Sequence, residues 1–309
     1  MVRDGVFDGV DAILDWHPDV RNTVNRQTGL ANVQVRFIFH GTASHASSGP
    51  QNGRSALDAV EAFDYMMNLM REHVPYDSRI HYAITDGGMA PNIVPDRAEV
   101  LYYIRNPRRT VVGDILDRAI KAAEGAALGT GTVMEYELVS GNYERLPNGV
   151  LSDLIFSSLS KVGGVEYDDG ERRFAEAIMR ASGRTDEEIP ALIRQASMVS
   201  EPAEGGNEAW VSSDVGNVTW VVPTASIRVA AFVPAGGGHC WQQTASSGTT
   251  IGTKGLLNAA RTFCLTAVEL YRNPSLLRDA RDEFDRRRGE GFVFEPLMGG
   301  CEPPFDYRK

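Results

Sequence analysis

Two histidines lie where an imidazole could bind a metal ion. His17 precedes Pro18 at the end of a short apolar run, and His239 follows three glycines in a loop after a predicted strand. An imidazole at a strand end can bind a metal through one nitrogen while a neighbouring group holds the other. The alternatives are a partly buried structural histidine at position 17 and an incidental loop histidine at position 239. Cys240 would point away from His239 in an extended segment, and we interpret it as structural.

His45 lies in a loop of small residues, residues 41–50, between a predicted strand and a predicted helix. A histidine in such a loop could donate a hydrogen bond to the negative charge that develops on an oxygen atom during catalysis. The alternative is a solvent-exposed loop histidine without a chemical role.

Asn92 and Arg105 flank one predicted strand, Asn92 in the loop before it and Arg105 at its far end. Arginine is the residue best suited to bind a carboxylate in a bidentate manner, so Arg105 is a candidate substrate ligand. A surface charge at a strand end is the alternative. The segment Ser212 to Gly216 could be a ligand-facing loop or a simple turn.

The elements around these residues follow from hydrophobic periodicity. Residues 31–39 alternate apolar and polar side chains as a strand does, and residues 55–72 carry an apolar stripe typical of a helix. Two further strands, which could pair as a hairpin, are predicted at residues 80–85 and 98–104. A helix is predicted at residues 111–128 and a strand at residues 133–139. The order β-α-β-β-α-β is that of a ferredoxin-like domain.

The segments on either side predict a second α/β domain. Residues 1–30 contain a strand-like run that ends at His17 and has no preceding element to pair with. After residue 140 we predict helices, a loop rich in Gly and Glu at residues 201–208, a strand at residues 226–233 and a long helix at residues 254–271. The tail, residues 286–309, is predicted to be irregular. A domain at residues 31–140 is therefore expected to interrupt one formed by residues 1–30 and 141–309.

Composition restricts the class of protein. The chain has 309 residues with a formal net charge of −10, which disfavours binding to nucleic acid or to an anionic membrane surface. Three cysteines without C-x-x-C spacing, and no signal sequence, indicate a reducing, cytoplasmic location. Gly87-Gly88 lacks the pattern of a phosphate-binding loop.

Taken together in this order, the motifs resemble those of the zinc-peptidase amidohydrolases, which include carboxypeptidase G, aminoacylase and the indoleacetyl-amino-acid hydrolases. The motifs are His17-Pro18, Gly41 to Ala46, Gly53 to Ala59, Pro91 to Pro95, Tyr103-Ile104-Arg105, Ser213 to Gly216 and Gly238-His239. The resemblance implies a metal-dependent hydrolase that cleaves the amide bond of N-acyl or N-aroyl amino acids such as p-aminobenzoyl-glutamate. It also implies an α/β catalytic domain with an inserted ferredoxin-like lid that mediates dimerisation, as a homodimer or with a homologous subunit.

The resemblance implies a role for each candidate residue. His17 and His239 would be ligands of two divalent metal ions, Zn or Mn, and a metal-bound hydroxide would attack the amide carbonyl. His45 would stabilise the oxyanion in the partner subunit's site, and Asn92 and Arg105 would bind the substrate, Arg105 through its α-carboxylate.

The sequence also departs from the pattern of the family. Members of the family have an N-terminal segment, before the equivalent of His17, that supplies further metal ligands and the general base. We therefore expect the catalytic α/β domain to be incomplete and the chain by itself to be an inactive C-terminal fragment. The alternative is a non-catalytic dimerisation or small-molecule-binding protein derived from the family.

Overall fold

A computed structural model of the chain describes residues 1–203 and 212–299. The fold is of the α/β class, as predicted, and the contacts divide the chain into two compact units. Of the described residues, 29–145, 212–217 and 294–299 form the four-stranded unit, and 1–28, 146–203 and 218–293 form the three-stranded unit.

The four-stranded unit has the predicted order of elements. Its elements are β3 (Ala31–His40), α1 (Ala56–Met70), β4 (Arg79–Asp86), β5 (Arg97–Asn106), α2 (Arg109–Thr130) and β6 (Val133–Asn142). The strands lie in the order β4-β5-β3-β6, and every neighbouring pair is antiparallel. The predicted hairpin of β4 and β5 is therefore confirmed.

Alternation along β3 explains how this sheet is buried. Val33, Val35, Phe37 and Phe39 are each at most 1% exposed, because they face the two helices. Phe37 packs against Phe63 of α1 with ring centroids 4.7 Å apart. The opposite face of the sheet has no helix over it in the described part of the unit and carries polar and charged side chains.

Local signals define the ends of the two helices. The side chain of Ser55 caps α1 by accepting a hydrogen bond from the Asp58 amide at 3.1 Å. Helix α2 ends at Gly131, whose φ of 68° is the left-handed conformation that favours glycine.

The three-stranded unit is built around β1 (Ile13–Asp19), β2 (Thr23–Asn25) and β7 (Thr224–Ala230) in the order β1-β7-β2. Strands β1 and β7 are parallel, and β2 and β7 are antiparallel. The helices are α3 (Gly149–Val162), α4 (Asp169–Ala181), α5 (Ile189–Ser197), α7 (Trp241–Ser247), α8 (Thr250–Arg272) and α9 (Pro274–Arg288). The chain passes from one unit to the other within the short helix α6 (Val215–Thr219).

The first strand, which has no preceding element to pair with, pairs with β7, which follows it by some two hundred residues. Two of the predicted bounds were wrong. The predicted strand at residues 226–233 lies at Thr224–Ala230, because the chain leaves the sheet after Ala230 although Ala231 and Val233 stay buried. The predicted irregular tail begins too early, since its first three residues end helix α9.

Helix α9 was missed because its apolar stripe is short and stands among many charged residues. Pro274 occupies the first turn, where its missing N–H is tolerated, and Ala280 and Phe284 are buried. Most of the loop predicted at residues 201–208, and the end of the tail from residue 300, lie outside the described residues. Within the described parts, no helix is long and apolar enough to cross a membrane.

Candidate functional site

The loop that carries His45 is held against the start of helix α1. Thr42 and Arg54 exchange two backbone hydrogen bonds of 2.8 and 2.9 Å. A Cβ atom at Gly41 would lie 2.0 Å from the carbonyl oxygen of Arg54, so this approach of two backbone segments requires glycine. The loop is therefore a defined structure, although most of its residues are exposed.

The imidazole of His45 is oriented by its own loop. Its Nδ1 atom accepts hydrogen bonds from the backbone N–H groups of Ser47 and Ser48, each at 3.2 Å. A nitrogen that accepts from an N–H group carries no proton in the neutral ring, so the proton is on Nε2. The exposed Nε2–H is therefore available as a donor to an oxygen of a bound molecule.

Asn92 lies beside His45. The amide of Ala46 donates to the carbonyl oxygen of Asn92 at 3.0 Å, and the amide of Val94 donates to that of Ser44 at 2.9 Å. These bonds join the loop after β3 to the loop before β5. The structure thus brings together two of the predicted site residues, and both side chains are exposed.

Arg105 lies near the end of β5 in a setting suited to an anion. Its guanidinium carbon is 4.7 Å from the centroid of the Tyr103 ring, and its Nη1 atom donates to the Ser212 hydroxyl at 3.4 Å. Arg105 has no acidic partner among the described residues, and its buried Nε atom has no hydrogen-bond partner there. Asn32, opposite Arg105 in β3, has a buried side-chain oxygen that is also without a partner. A carboxylate would satisfy the guanidinium.

His45 and Arg105 lie near opposite ends of the sheet. Strand β3 ends at His40, which is opposite Arg97, and the His45 loop begins there. Arg105 is eight residues further along β5, a distance of about 26 Å at the usual rise per residue. One copy of this unit therefore does not present both side chains to one small molecule.

Sequence reasoning missed the residues around Arg105. His81 of β4 is opposite Tyr103, and Arg79 is opposite Arg105. Partial burial of the His81 ring, together with the charges of Arg105, Arg71 and Arg79, lowers the pKa of this histidine. The hairpin of β4 and β5 was predicted, but the pairing register that could have identified these neighbours was not.

His17 and His239 belong to the three-stranded unit. His17 lies in β1, two residues before its end, and His239 is in the loop after β7. Because β1 and β7 are parallel neighbours, the ends that lead to both residues are at one edge of the sheet. His17 Nδ1 is 2.7 Å from the carbonyl oxygen of Pro18, and His239 adopts a left-handed φ of 57°.

These two histidines do not form a metal centre by themselves. In the part of the chain that the structure describes, no group of three or more His, Cys, Asp or Glu side chains could hold a metal ion. The nearby carboxylates are otherwise engaged, because Asp15 accepts a hydrogen bond from Ser226 at 2.6 Å and Asp19 pairs with Arg228 at 2.8 Å. The described residues therefore do not fit the two-metal site that the resemblance implies.

The structure also places the remaining candidates. Cys240 is the residue before helix α7, and its thiol is a free one. Gly216 follows the turn at Ser213 and Asp214, and a Cβ atom there would lie 2.0 Å from the carbonyl oxygen of Tyr143. The interpretations of both positions stay predictions.

Comparisons with known proteins agree with the geometry of the four-stranded unit. Residues 25–129 match the family model of the peptidase dimerisation domain, M20_dimer. The chain is 38% identical over 303 residues to one of the subunits of the p-aminobenzoyl-glutamate hydrolase of Escherichia coli (strain K12), an alignment that covers 92% of this chain and 63% of that protein. It is 26% identical over 286 residues to the Xaa-Arg dipeptidase of Mus musculus, covering 92% of this chain and 58% of the relative.

A solved structure shares the fold. The crystal structure of aminobenzoyl-glutamate utilization protein from Klebsiella pneumoniae aligns with a TM-score of 0.53 and 17% identity, over 84% of this chain and 57% of that one. The chain thus spans about six tenths of the length of these relatives.

Proposed function

Because this chain carries the dimerisation domain of the M20 peptidase family, we propose that it functions in a metal-dependent amidohydrolase of that family. The proposed reaction is hydrolysis of the amide bond of N-acyl or N-aroyl amino acids such as p-aminobenzoyl-glutamate. The substrate class is suggested by the name of the relative that is 38% identical. The observation that carries the proposal in this chain is the hydrogen-bonded frame around His45.

His45 is proposed to stabilise the oxyanion. Its Nδ1 atom is occupied by two backbone N–H groups, which leaves Nε2–H as the donor. The ring needs no reorientation when negative charge develops on the carbonyl oxygen, and this kind of preorganisation lowers an activation barrier. Asn92, joined to the same loop, is proposed to bind the substrate beside it.

Arg105 is proposed to bind the α-carboxylate of the substrate. Its guanidinium is held by the Tyr103 ring and the Ser212 hydroxyl but has no acidic partner in the described part of the chain. A bound carboxylate would complete its interactions in the planar, bidentate geometry that lysine cannot reproduce.

A dimer is part of the proposal. The length of β5 separates His45 and Asn92 from Arg105, so a site that uses all three needs two chains. In the proposed homodimer or heterodimer with a homologous subunit, each site combines Arg105 of one chain with His45 and Asn92 of the other.

The activation of water is not assigned to the described residues. His17 and His239 are proposed as ligands of the divalent metal ions, Zn or Mn, but the described residues supply no group of three ligands. We propose that the 309-residue chain by itself is inactive. The same observation supports a second candidate function, a dimerising protein that binds N-acyl amino acids without hydrolysing them.

Binding of p-aminobenzoyl-glutamate, measured by isothermal titration calorimetry, tests the proposed site without requiring turnover. Arg105→Lys should weaken binding at least tenfold, an effect of about 1.4 kcal/mol or more. Arg118→Lys, at a half-buried position of α2, is the matched control and should leave the affinity unchanged. The effect of Arg105→Lys should vanish for the analogue whose α-carboxylate is an amide; an equal effect on both ligands would contradict the proposed contact.

A further inference from the structure

The helix-free face of the four-stranded sheet carries a cationic patch that extends from Arg105 to residues that the proposed function does not use. The patch consists of Arg105 and Tyr103 on β5 with Arg79 and His81 on β4. In an antiparallel sheet, residues directly opposite each other lie on the same face, and the register pairs Arg79 with Arg105 and His81 with Tyr103. Ile80, Tyr102 and Ile104, which alternate with these positions, are buried on the other face.

Two members of the patch, Tyr103 and Arg105, are cross-strand neighbours of His81. The guanidinium of Arg105 leans over the Tyr103 ring, which is opposite His81. The backbone positions of His81 and Arg105 are diagonal neighbours, about 7–8 Å apart in a standard ladder. The ring of His81 is exposed to solvent on the outermost strand of this sheet, so a bound molecule could reach it.

Positive charge surrounds the His81 ring. Partial burial and the charges of Arg105, Arg71 and Arg79 together lower its pKa, so the ring is neutral near pH 7. No acidic side chain of the described residues pairs with Arg105 or with His81. An anion that entered the patch would offset the repulsion from the arginines and would favour the protonated ring.

We propose that His81 is a specificity-determining residue that contacts the second carboxylate of a dicarboxylic N-acyl amino acid. The inference rests on the proposed function, in which Arg105 binds the first, α-carboxylate. Side chains at diagonal positions on one face of a sheet can contact the two carboxylates of one short chain such as that of glutamate. An amino acid with a neutral side chain would leave the His81 contact unmade, so the patch selects acidic amino acids.

The test compares two ligands that differ only in the second carboxylate, p-aminobenzoyl-glutamate and p-aminobenzoyl-glutamine. Calorimetry on the full chain should show about tenfold tighter binding of the glutamate compound, as expected for one charge-assisted hydrogen bond. His81→Gln should reduce that preference to about twofold or less while leaving the affinity for the glutamine compound unchanged. His73→Gln, which alters another exposed histidine, should leave the preference intact.

A spectroscopic measurement gives a second, independent result. The chain has six histidines, so isotope labelling of histidine gives few ring signals, and loss of one signal in His81→Gln identifies that of His81. The glutamate compound should raise the pKa of His81, because its second carboxylate favours the protonated ring, and the glutamine compound should leave that pKa unchanged.

The outcomes of these experiments distinguish failure of the His81 inference from failure of the proposed function. If Arg105→Lys weakens the binding of both ligands but His81→Gln leaves the ratio of their affinities unchanged, the His81 inference is wrong and the proposed function stands. If Arg105→Lys affects neither ligand, or the unaltered chain binds neither, both are wrong. Equal weakening of the two ligands by His81→Gln would also overturn the inference, since it would show no discrimination by this residue.

Discussion

The hydroxyl of Tyr102 donates a 2.5 Å hydrogen bond to Oδ1 of Asp64 inside the four-stranded unit. Asp64 is on α1 and only 6% exposed, and Tyr102 on β5 is fully buried. Burial raises the pKa of Asp64 to about 6, although the hydrogen bond from Tyr102 opposes the rise. Glu61 and Arg71 are the other charges near this carboxyl group.

This buried carboxyl group predicts an unusual pH dependence of stability. Because the folded-state pKa is higher than the ordinary value of 3.8, the folded chain holds a proton that the unfolded chain loses. Protonated Asp64 therefore contributes its full stabilisation of the fold below about pH 4. This contribution is lost as the pH rises through about 6. Asp64→Asn should lack the effect.

Urea unfolding of the unaltered chain and of Asp64→Asn between pH 4 and pH 7 measures this pH dependence of stability. The free energy of unfolding of the unaltered chain should fall relative to that of Asp64→Asn by about 1–3 kcal/mol across this range. A constant difference between the two proteins would contradict the raised pKa. Comparing the two proteins cancels the contributions of other carboxylates, such as Glu99 and Asp86, whose pKa values are lowered.

A second prediction concerns the backbone beneath His45. Gly41→Ala should destabilise the chain by about 1–3 kcal/mol, because the new Cβ atom would collide with the carbonyl oxygen of Arg54. Gly113→Ala is the matched control, since it has no neighbour within 4 Å and lies inside α2; it should stabilise by about 0.5–1 kcal/mol. Equal effects of the two changes in urea unfolding would show that the close approach at Gly41 is not required.

A third prediction is that the four-stranded unit folds alone. Residues 29–145 contain the four strands of the sheet and the two helices packed on it, with their own buried core. Expressed separately, they should give dispersed NMR spectra and the mass of a dimer in sedimentation equilibrium. A strictly monomeric mass would exclude this segment as sufficient for dimerisation.

The fourth prediction tests the shared site by mixing two variants. In a form of the protein that hydrolyses p-aminobenzoyl-glutamate, His45→Ala and Arg105→Gln should each be nearly inactive. After subunit exchange, equal mixing should restore about a quarter of the unaltered activity, since half of the dimers would contain one intact site. If exchange is demonstrated directly and no activity returns, His45 and Arg105 do not act from different chains.

The fifth prediction is that the purified 309-residue chain, supplied with Zn²⁺ or Mn²⁺, does not hydrolyse p-aminobenzoyl-glutamate. The physical reason is that the described residues contain no group of three metal-binding side chains, whereas a catalytic zinc site needs about that number. The assay should include an active hydrolase of this substrate as a positive control. Turnover that disappears with a chelator and in His239→Ala would prove this prediction wrong.

Hydrophobic periodicity predicted β3 and α1 of the four-stranded unit because each has one buried face. Val33 and Phe37 of β3 alternate with polar residues, and Val60 and Phe63 of α1 form a stripe. The same reasoning failed for α9, where charged residues obscure a short apolar face.

The site was less predictable because its chemistry depends on contacts distant in sequence or on local hydrogen bonds. The tautomer of His45 follows from the turn at Ser47 and Ser48, which no periodicity indicates. The neighbourhood of Arg105 follows from the register of β4 on β5, which brings His81 close only in the folded sheet. The roles of His17 and His239 remain predictions.

The parallel pairing of β1 with β7 has a consequence for synthesis on the ribosome. β7 is translated about 200 residues after β1, so at about 5–20 residues per second β1 waits about 10–40 s for its partner. The elements of the four-stranded unit are all translated within that interval and pair with one another. The nascent chain therefore contains a unit able to fold while the apolar face of β1 is still unpaired, and during that interval chaperones have access to β1.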